Sequence, residues 1–237
     1  MVRRLLYGAL YAFIQRIVLK TRVRGHIAAR EPLVLVSNHV GSLGPVSIMS
    51  SLRRKLYPWV AHEVTERREV RRYLQKEFTE PELRLKGAAG RFVSALIGLV
   101  CVSLMRGVEA IPVYKKSRKL RQTLERSLSL LVSGKTIVVF PEDTERRINE
   151  VFCEFSSGFL NLARHFYRMT RHVLRFVPVA VHPRLRVIRL GEPVAHDPSV
   201  PFSVEKRRLH DELQARVHSL YRAVEQGSRR KAVSRAS

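Results

Sequence analysis

Apolar residues recur along this chain in two alternating rhythms. The run Leu33–Ser37 and the run at 136–140 are almost continuous in Leu, Ile and Val, which is the composition of strands covered on both faces. Similar runs lie at 57–61, 110–114, 176–181 and 186–190. Between them, 42–54, 66–78, 91–106, 117–132 and 157–171 carry apolar residues three and four positions apart, the spacing that gathers them on one face of a helix. In the last of these, Phe159, Leu162, Ala163, Phe166 and Tyr167 form a single stripe. Strands alternating with helices predict an α/β fold, with a mostly parallel central sheet flanked by helices.

The pattern changes toward both ends. Residues 1–24 begin with Arg3 and Arg4 and continue as an apolar run that Gln15 and Arg16 interrupt. No small-x-small cleavage site follows, so the segment reads as an uncleaved amphipathic helix lying in a membrane interface. A second apolar run, 92–105, is bracketed by Arg91 and Arg106 and is short for a crossing of about 20 residues. Its length fits a buried core helix or one that dips into a membrane. From 201 to 226 a basic amphipathic helix carries Leu209, Leu213, Val217, Leu220 and Val224 on one side, as expected of a helix packed on the domain. The tail 227–237 is rich in Ser, Arg, Lys and Ala and is expected to be disordered. With neither a repeat nor a linker inside it, 25–200 reads as one α/β domain.

Charge narrows the choice of partners. The chain has 44 Lys plus Arg against 20 Asp plus Glu, a formal net charge of +24. A field of that sign draws anions, whether an anionic membrane surface, a phosphorylated substrate, an acidic carrier protein or nucleic acid. Nucleic acid is the weaker reading, because the chain has no zinc-ligand cluster, no aromatic RNA-binding strand motif and no helix-turn-helix pattern. The two cysteines, Cys101 and Cys153, show no pairing or metal-ligand spacing and read as buried free thiols of a reducing compartment.

Candidate chemistry sits where two of the strand runs stop. In α/β sheets ligands bind beyond the carboxyl ends of strands. The first run ends at Ser37-Asn38-His39 and the second at Phe140-Pro141-Glu142-Asp143-Thr144. His39 follows a strand end, lies among Ser37, Asn38, Gly41 and Ser42, and precedes a helix whose first turn has unpaired amides. An imidazole there suits a general base that takes a hydroxyl proton, with backbone amides stabilising the developing oxyanion.

The segment from Ser37 to Gly44 resembles the first motif of the glycerolipid acyltransferases related to 1-acylglycerol-3-phosphate acyltransferase, in which Asn-His is followed by a spacer and an Asp. The turn from Phe140 to Thr144 is similar to their third motif, Phe-Pro-Glu-Gly-Thr-Arg. Ala110-Ile111-Pro112-Val113-Tyr114-Lys115 resembles the second motif, and Phe176-Val177-Pro178-Val179 the fourth. Phe155-Ser156-Ser157-Gly158 matches the Phe-x-x-Gly that trails the third. Order and spacing agree from Leu33 to Val194.

The resemblance implies transfer of a fatty acyl group from a thioester, acyl-coenzyme A or acyl carrier protein, to a hydroxyl of a lysophospholipid or related acceptor, without a resident cofactor or metal. His39 would be the base. Asn38, Lys115, Glu142, Asp143, Thr144 and Arg146, with Arg147 nearby, would bind the acceptor and its phosphate at the cytoplasmic face of a membrane, where the protein is peripheral or monotopic. Three positions depart from the pattern: Gly44 stands where the family has the Asp that orients the His, Asp143 replaces a Gly, and Glu145 stands at the Arg position. Another carboxylate, Asp143, Glu142 or Glu63, would then orient His39, or the acceptor would be neutral at that point. The remaining alternative is an impaired relative that binds lipid or acts as a scaffold.

Overall fold

The computed structural model describes residues 21–27, 31–41, 43–80, 84, 86–114, 119–147 and 152–233. Most of the expected N-terminal helix therefore lies outside the described residues. In chain order the elements are β1 (Arg22–Arg24), β2 (Leu33–Ser37), α1 (Leu43–Ser51), β3 (Leu56–Ala61), α2 (Val70–Leu74), α3 (Gly87–Gly107), β4 (Ile111–Val113), α4 (Leu120–Val132), β5 (Thr136–Val139), β6 (Glu142–Arg147), β7 (Cys153–Phe155), α5 (Asn161–Thr170), β8 (Arg175–His182), β9 (Val187–Leu190), β10 (Val194–Ala195) and α6 (Phe202–Val233). They fall into two compact units, one of 57–127 and the other of 21–56 and 128–233.

The larger unit is built on a sheet in the order β1, β9, β8, β2, β5, with β10 paired to β8. At its centre β2 runs parallel to both neighbours, Val36 facing Val139 of β5 and Pro178 of β8. All five β2 residues are buried, which explains their unbroken apolar run. The sheet is mixed toward one edge, because β8 and β9 are antiparallel, while β1 is parallel to β9. One face carries Leu33, Leu35, Val177, Val179 and Val181 against Ile48 of α1 and Leu52 just beyond its end. The other face places Ala180 under Tyr221 of α6 and Phe152.

Along α6, Leu209, Leu213, Val217 and Val224 are buried, as the helical stripe predicts. The helix continues to Val233, so the disordered tail expected from 227 is not observed up to that point. Likewise β1 occupies 22–24, where the N-terminal helix was expected to end. The segment 142–147 corrects the sequence reading of a turn there: it is extended and pairs antiparallel with β7, Glu142 facing Phe155 and Asp143 facing Glu154. Its residues, Glu-Asp-Thr-Glu-Arg-Arg, include no apolar side chain, so no period-2 signal marks the strand.

In the smaller unit β3 and β4 are parallel, Trp59 facing Ile111. The helix expected over 66–78 is interrupted: α2 gives way to a π-helical turn at Gln75–Thr79, and the buried Thr79 hydroxyl hydrogen-bonds Ser94 at 2.7 Å. Val70 and Leu74 pack on Val102 of α3. A Cβ at Gly98 would come within 3.0 Å of the Val70 side chain, so glycine permits the close approach of these two helices. Cys101 and Cys153 are free, and each is half-buried rather than fully buried as expected.

Candidate active site

Chain direction changes abruptly after β2, and the side chain that fixes the change is Asn38. Its amide nitrogen donates to the Val181 carbonyl at 3.0 Å, and its carbonyl oxygen accepts from the Val181 N–H at 2.8 Å. Asn38 is fully buried and both ends of its amide are used on β8. It thus ties the end of β2 to a strand 143 positions away, rather than presenting its amide to a ligand.

His39 follows at once and is exposed to solvent. Its ring meets Phe140 edge-on, with centroids 5.4 Å apart and an interplanar angle of 79°. The next two residues are both left-handed, Val40 with φ 44° and Gly41 with φ 60°. A β-branched residue in that region costs about 1–2 kcal/mol and persists only where its surroundings over-determine it. Although the residue keeps access to solvent, the protein atoms around its imidazole desolvate it enough to lower its pKa below the usual histidine value, and the Gly41 backbone opposes this in part. The ring is therefore held toward its neutral, basic form.

Glu142, at the start of β6, reaches the same place from a strand end 103 positions away. Its Oε2 accepts the His39 backbone N–H at 3.1 Å. Burial raises its pKa above the ordinary carboxylate value, and the N–H groups of His39 and Cys153 act in the opposite sense. Its Oε1 is buried without a hydrogen-bond partner among the described residues. The two strand ends singled out in the sequence are thus brought together through a carboxylate on the backbone of the histidine.

Among the described residues of the larger unit, no carboxylate forms an ion pair with the His39 ring. Glu142 engages the main chain, and in the smaller unit Glu63 lies 3.1 Å from its neighbour His62. At position 44 the reason is steric: a Cβ built there would collide with the His39 carbonyl oxygen and come within 2.9 Å of its carbon. Gly44 is buried in the first turn of α1, and this backbone has no room for the Asp that the resemblance calls for.

Asp143 is half-buried on β6. Thr144 and Arg146 lie on the same strand, their side chains outside the description, and Lys115 lies outside the described residues altogether. Two residues that the sequence did not signal support the hairpin from α6. Gln214 accepts the Phe155 N–H at 2.8 Å, and His210 Nε2 lies 2.8 Å from the Phe155 carbonyl oxygen. Both main-chain groups of Phe155 are therefore held by the C-terminal helix, and β7 holds β6. No local pattern marks either residue, because each acts on a strand more than fifty positions away.

A family model described as Acyltransferase matches residues 93–182. The match takes in β4, β5, β6 and β8 and begins beyond His39. Among solved structures the chain is similar to PlsC, the 1-acyl-sn-glycerophosphate (LPA) acyltransferase from Thermotoga maritima, at 14% identity and a TM-score of 0.51, covering 92% of this chain and 81% of that one. At that identity the likeness is one of fold. No curated protein sequence matches the chain.

Proposed function

We propose, from the match of residues 93–182 to the acyltransferase family model and the PlsC-like fold, that the chain moves a fatty acyl group from a thioester donor to a hydroxyl of a lysophospholipid or related lipid, with His39 as general base. The observation that carries the reading is the junction of the two strand ends, where the Glu142 carboxylate holds the backbone of an exposed imidazole whose pKa is depressed. A neutral imidazole is the form that accepts a proton.

In the proposed reaction His39 takes the proton of the acceptor hydroxyl as that oxygen attacks the thioester carbonyl carbon. The tetrahedral oxyanion collapses with cleavage of the carbon–sulfur bond, and the imidazolium returns its proton to the departing thiolate. The Gly41 backbone, which acts on the His39 ring in the sense that favours its protonated form, is the proposed orienting group for the imidazole, a part that an Asp at position 44 would otherwise play. Glu142 keeps one oxygen on the His39 amide and so fixes the backbone that carries the imidazole. Asp143, Thr144, Arg146 and Lys115 remain the proposed acceptor contacts, with acyl-coenzyme A or acyl carrier protein as the anionic donor.

The test is transfer from a labelled thioester to a panel of lysolipids in detergent micelles. Replacing His39 with Ala is expected to lower turnover by about 10²–10⁴, the usual contribution of a general base. Undiminished transfer would remove His39 from the mechanism. One observation favours a second reading: a backbone that excludes a carboxylate at position 44 also fits a relative that binds lipid without turning it over. Absence of transfer to every acceptor, with lipid binding intact, would establish that reading instead.

A further inference from the structure

Helix α3 presents an apolar face to the outside. Its buried residues Gly90, Ser94, Gly98 and Val102 recur every fourth position and include the side that meets Val70 and Leu74. On the opposite side Phe92 is 72% exposed, Leu96 58%, Leu99 58% and Val100 38%. At about 100° per residue these four lie roughly 140–240° around the axis from Ser94. The arrangement departs from that of a soluble surface helix: of the four buried residues only Val102 is apolar and larger than glycine or serine, while Phe92, Leu96 and Leu99 face outward. Exposed apolar surface gathered on one element marks an interaction site.

The charge beside this face selects the partner. Arg67, Arg68 and Arg71 line a groove of about 250 Å³ with Ala95, Gly98 and Leu99, so three arginines stand beside the apolar stripe at its Leu99 edge. Arg91 and Arg106, both exposed, stand near its two ends. Within α3 no acidic residue interrupts the pattern. Large apolar side chains next to cations on a helix lying sideways are complementary to the headgroup and acyl boundary of an anionic bilayer. By length and composition α3 would also pass for a span; its packing on Val70 and Leu74 along one side favours a helix lying along the interface with its other side toward lipid.

We propose that the outer face of α3 is a membrane-docking surface, with Phe92, Leu96 and Leu99 seated among acyl chains and Arg67, Arg68 and Arg71 at the level of lipid phosphates. The inference rests on the lipid-acyltransferase reading for its purpose and on the α3 surface alone for its content. It gives that reading an interfacial address on described residues of the chain. An acceptor lipid would then be drawn from the plane in which the protein sits.

The experiment measures partition of the full chain onto vesicles of phosphatidylglycerol mixed with phosphatidylcholine, by flotation, beside vesicles of phosphatidylcholine alone. The native chain should bind the anionic vesicles and release from them as salt rises. A variant carrying Phe92→Glu and Leu96→Glu should bind about a hundredfold more weakly, about tenfold for each large apolar side chain withdrawn from lipid. Both substituted positions are exposed, so its thermal melt should match that of the native chain. Acyl transfer in detergent micelles, which need no docking, should be unchanged between the two.

Partition equal for variant and native chain would overturn the proposal. So would a native dimer that the variant dissociates without any change in vesicle binding, because the face would then belong to a second copy. Absence of micellar transfer in both chains, with the vesicle difference intact, would refute the catalytic reading and leave the docking surface standing.

Discussion

Restoring an aspartate at position 44 is the most direct probe of how this site is built. The resemblance to glycerolipid acyltransferases would make Gly44→Asp a repair. The backbone says the opposite. The new Cβ would lie within 2.9 Å of the His39 carbonyl carbon and closer still to its oxygen, and Cβ atoms do not occur under 3.0 Å. Both obstructing atoms are main chain, so relief requires moving His39 itself or the start of α1. Overpacking of that kind costs about 1–3 kcal/mol. At about 2–4 °C per kcal/mol for a chain of this size, Tm should fall by roughly 2–12 °C. Gly44→Ala should show most of the same loss, since the clash begins at Cβ. Gly41→Ala is the internal control: it sits at φ 60° with nothing within 4 Å and should cost only the backbone strain of about 1–2 kcal/mol. The assays are a thermal melt and acyl transfer in micelles. A Gly44→Asp variant that melts like the native chain and transfers acyl groups faster would refute the steric argument.

Two other outcomes are expected. Because desolvation lowers the His39 pKa, its basic form persists below the usual histidine midpoint, and kcat/KM should fall on acidification with a midpoint under about 6.5; an acid limb centred above that value would assign the base to another group. Asn38→Ala leaves the Val181 N–H and C=O buried and unpaired, a loss of about 2–4 kcal/mol at 1–2 kcal/mol per group, visible as a fall in Tm of roughly 4–16 °C. A melt within 1–2 °C of the native value, too small a shift for two lost hydrogen bonds, would mean that the clamp does not hold β2 to β8.

Several parts of this architecture are readable from sequence because they depend on neighbours along the chain. The unbroken Leu33–Ser37 run announces a strand buried on both faces, and the Leu209, Leu213, Val217, Val224 stripe announces a helix packed on the sheet. Asn38 and Glu142 are legible as interesting and illegible as to role: a strand-end polar residue serves a ligand or the backbone, and only the partner, Val181 or the His39 amide, decides. The polar strand β6 escapes notice because its identity comes from pairing with β7 rather than from an apolar rhythm. Gly44 reads as a loss in the sequence, whereas in the fold it is the residue that α1 needs in order to start against the His39 carbonyl. For α3 the apolar run is evident, but which side faces outward depends on α2.

The bonds that define the candidate site join residues far apart in the order of synthesis. His39 and Glu142 are 103 positions apart, Asn38 and Val181 are 143, and Phe155 is held by Gln214 another 59 positions on. An imidazole translated early therefore has no fixed setting until the chain has grown past residue 214, and loop closures over such distances come late in folding. Ribosome-bound or prematurely released fragments carry the histidine without the Val181 and Glu142 bonds that set it. On the proposed reading, reactivity toward thioesters is tied to completion of the fold, and the α6 clamp on Phe155 is among the last elements of the site to be put in place.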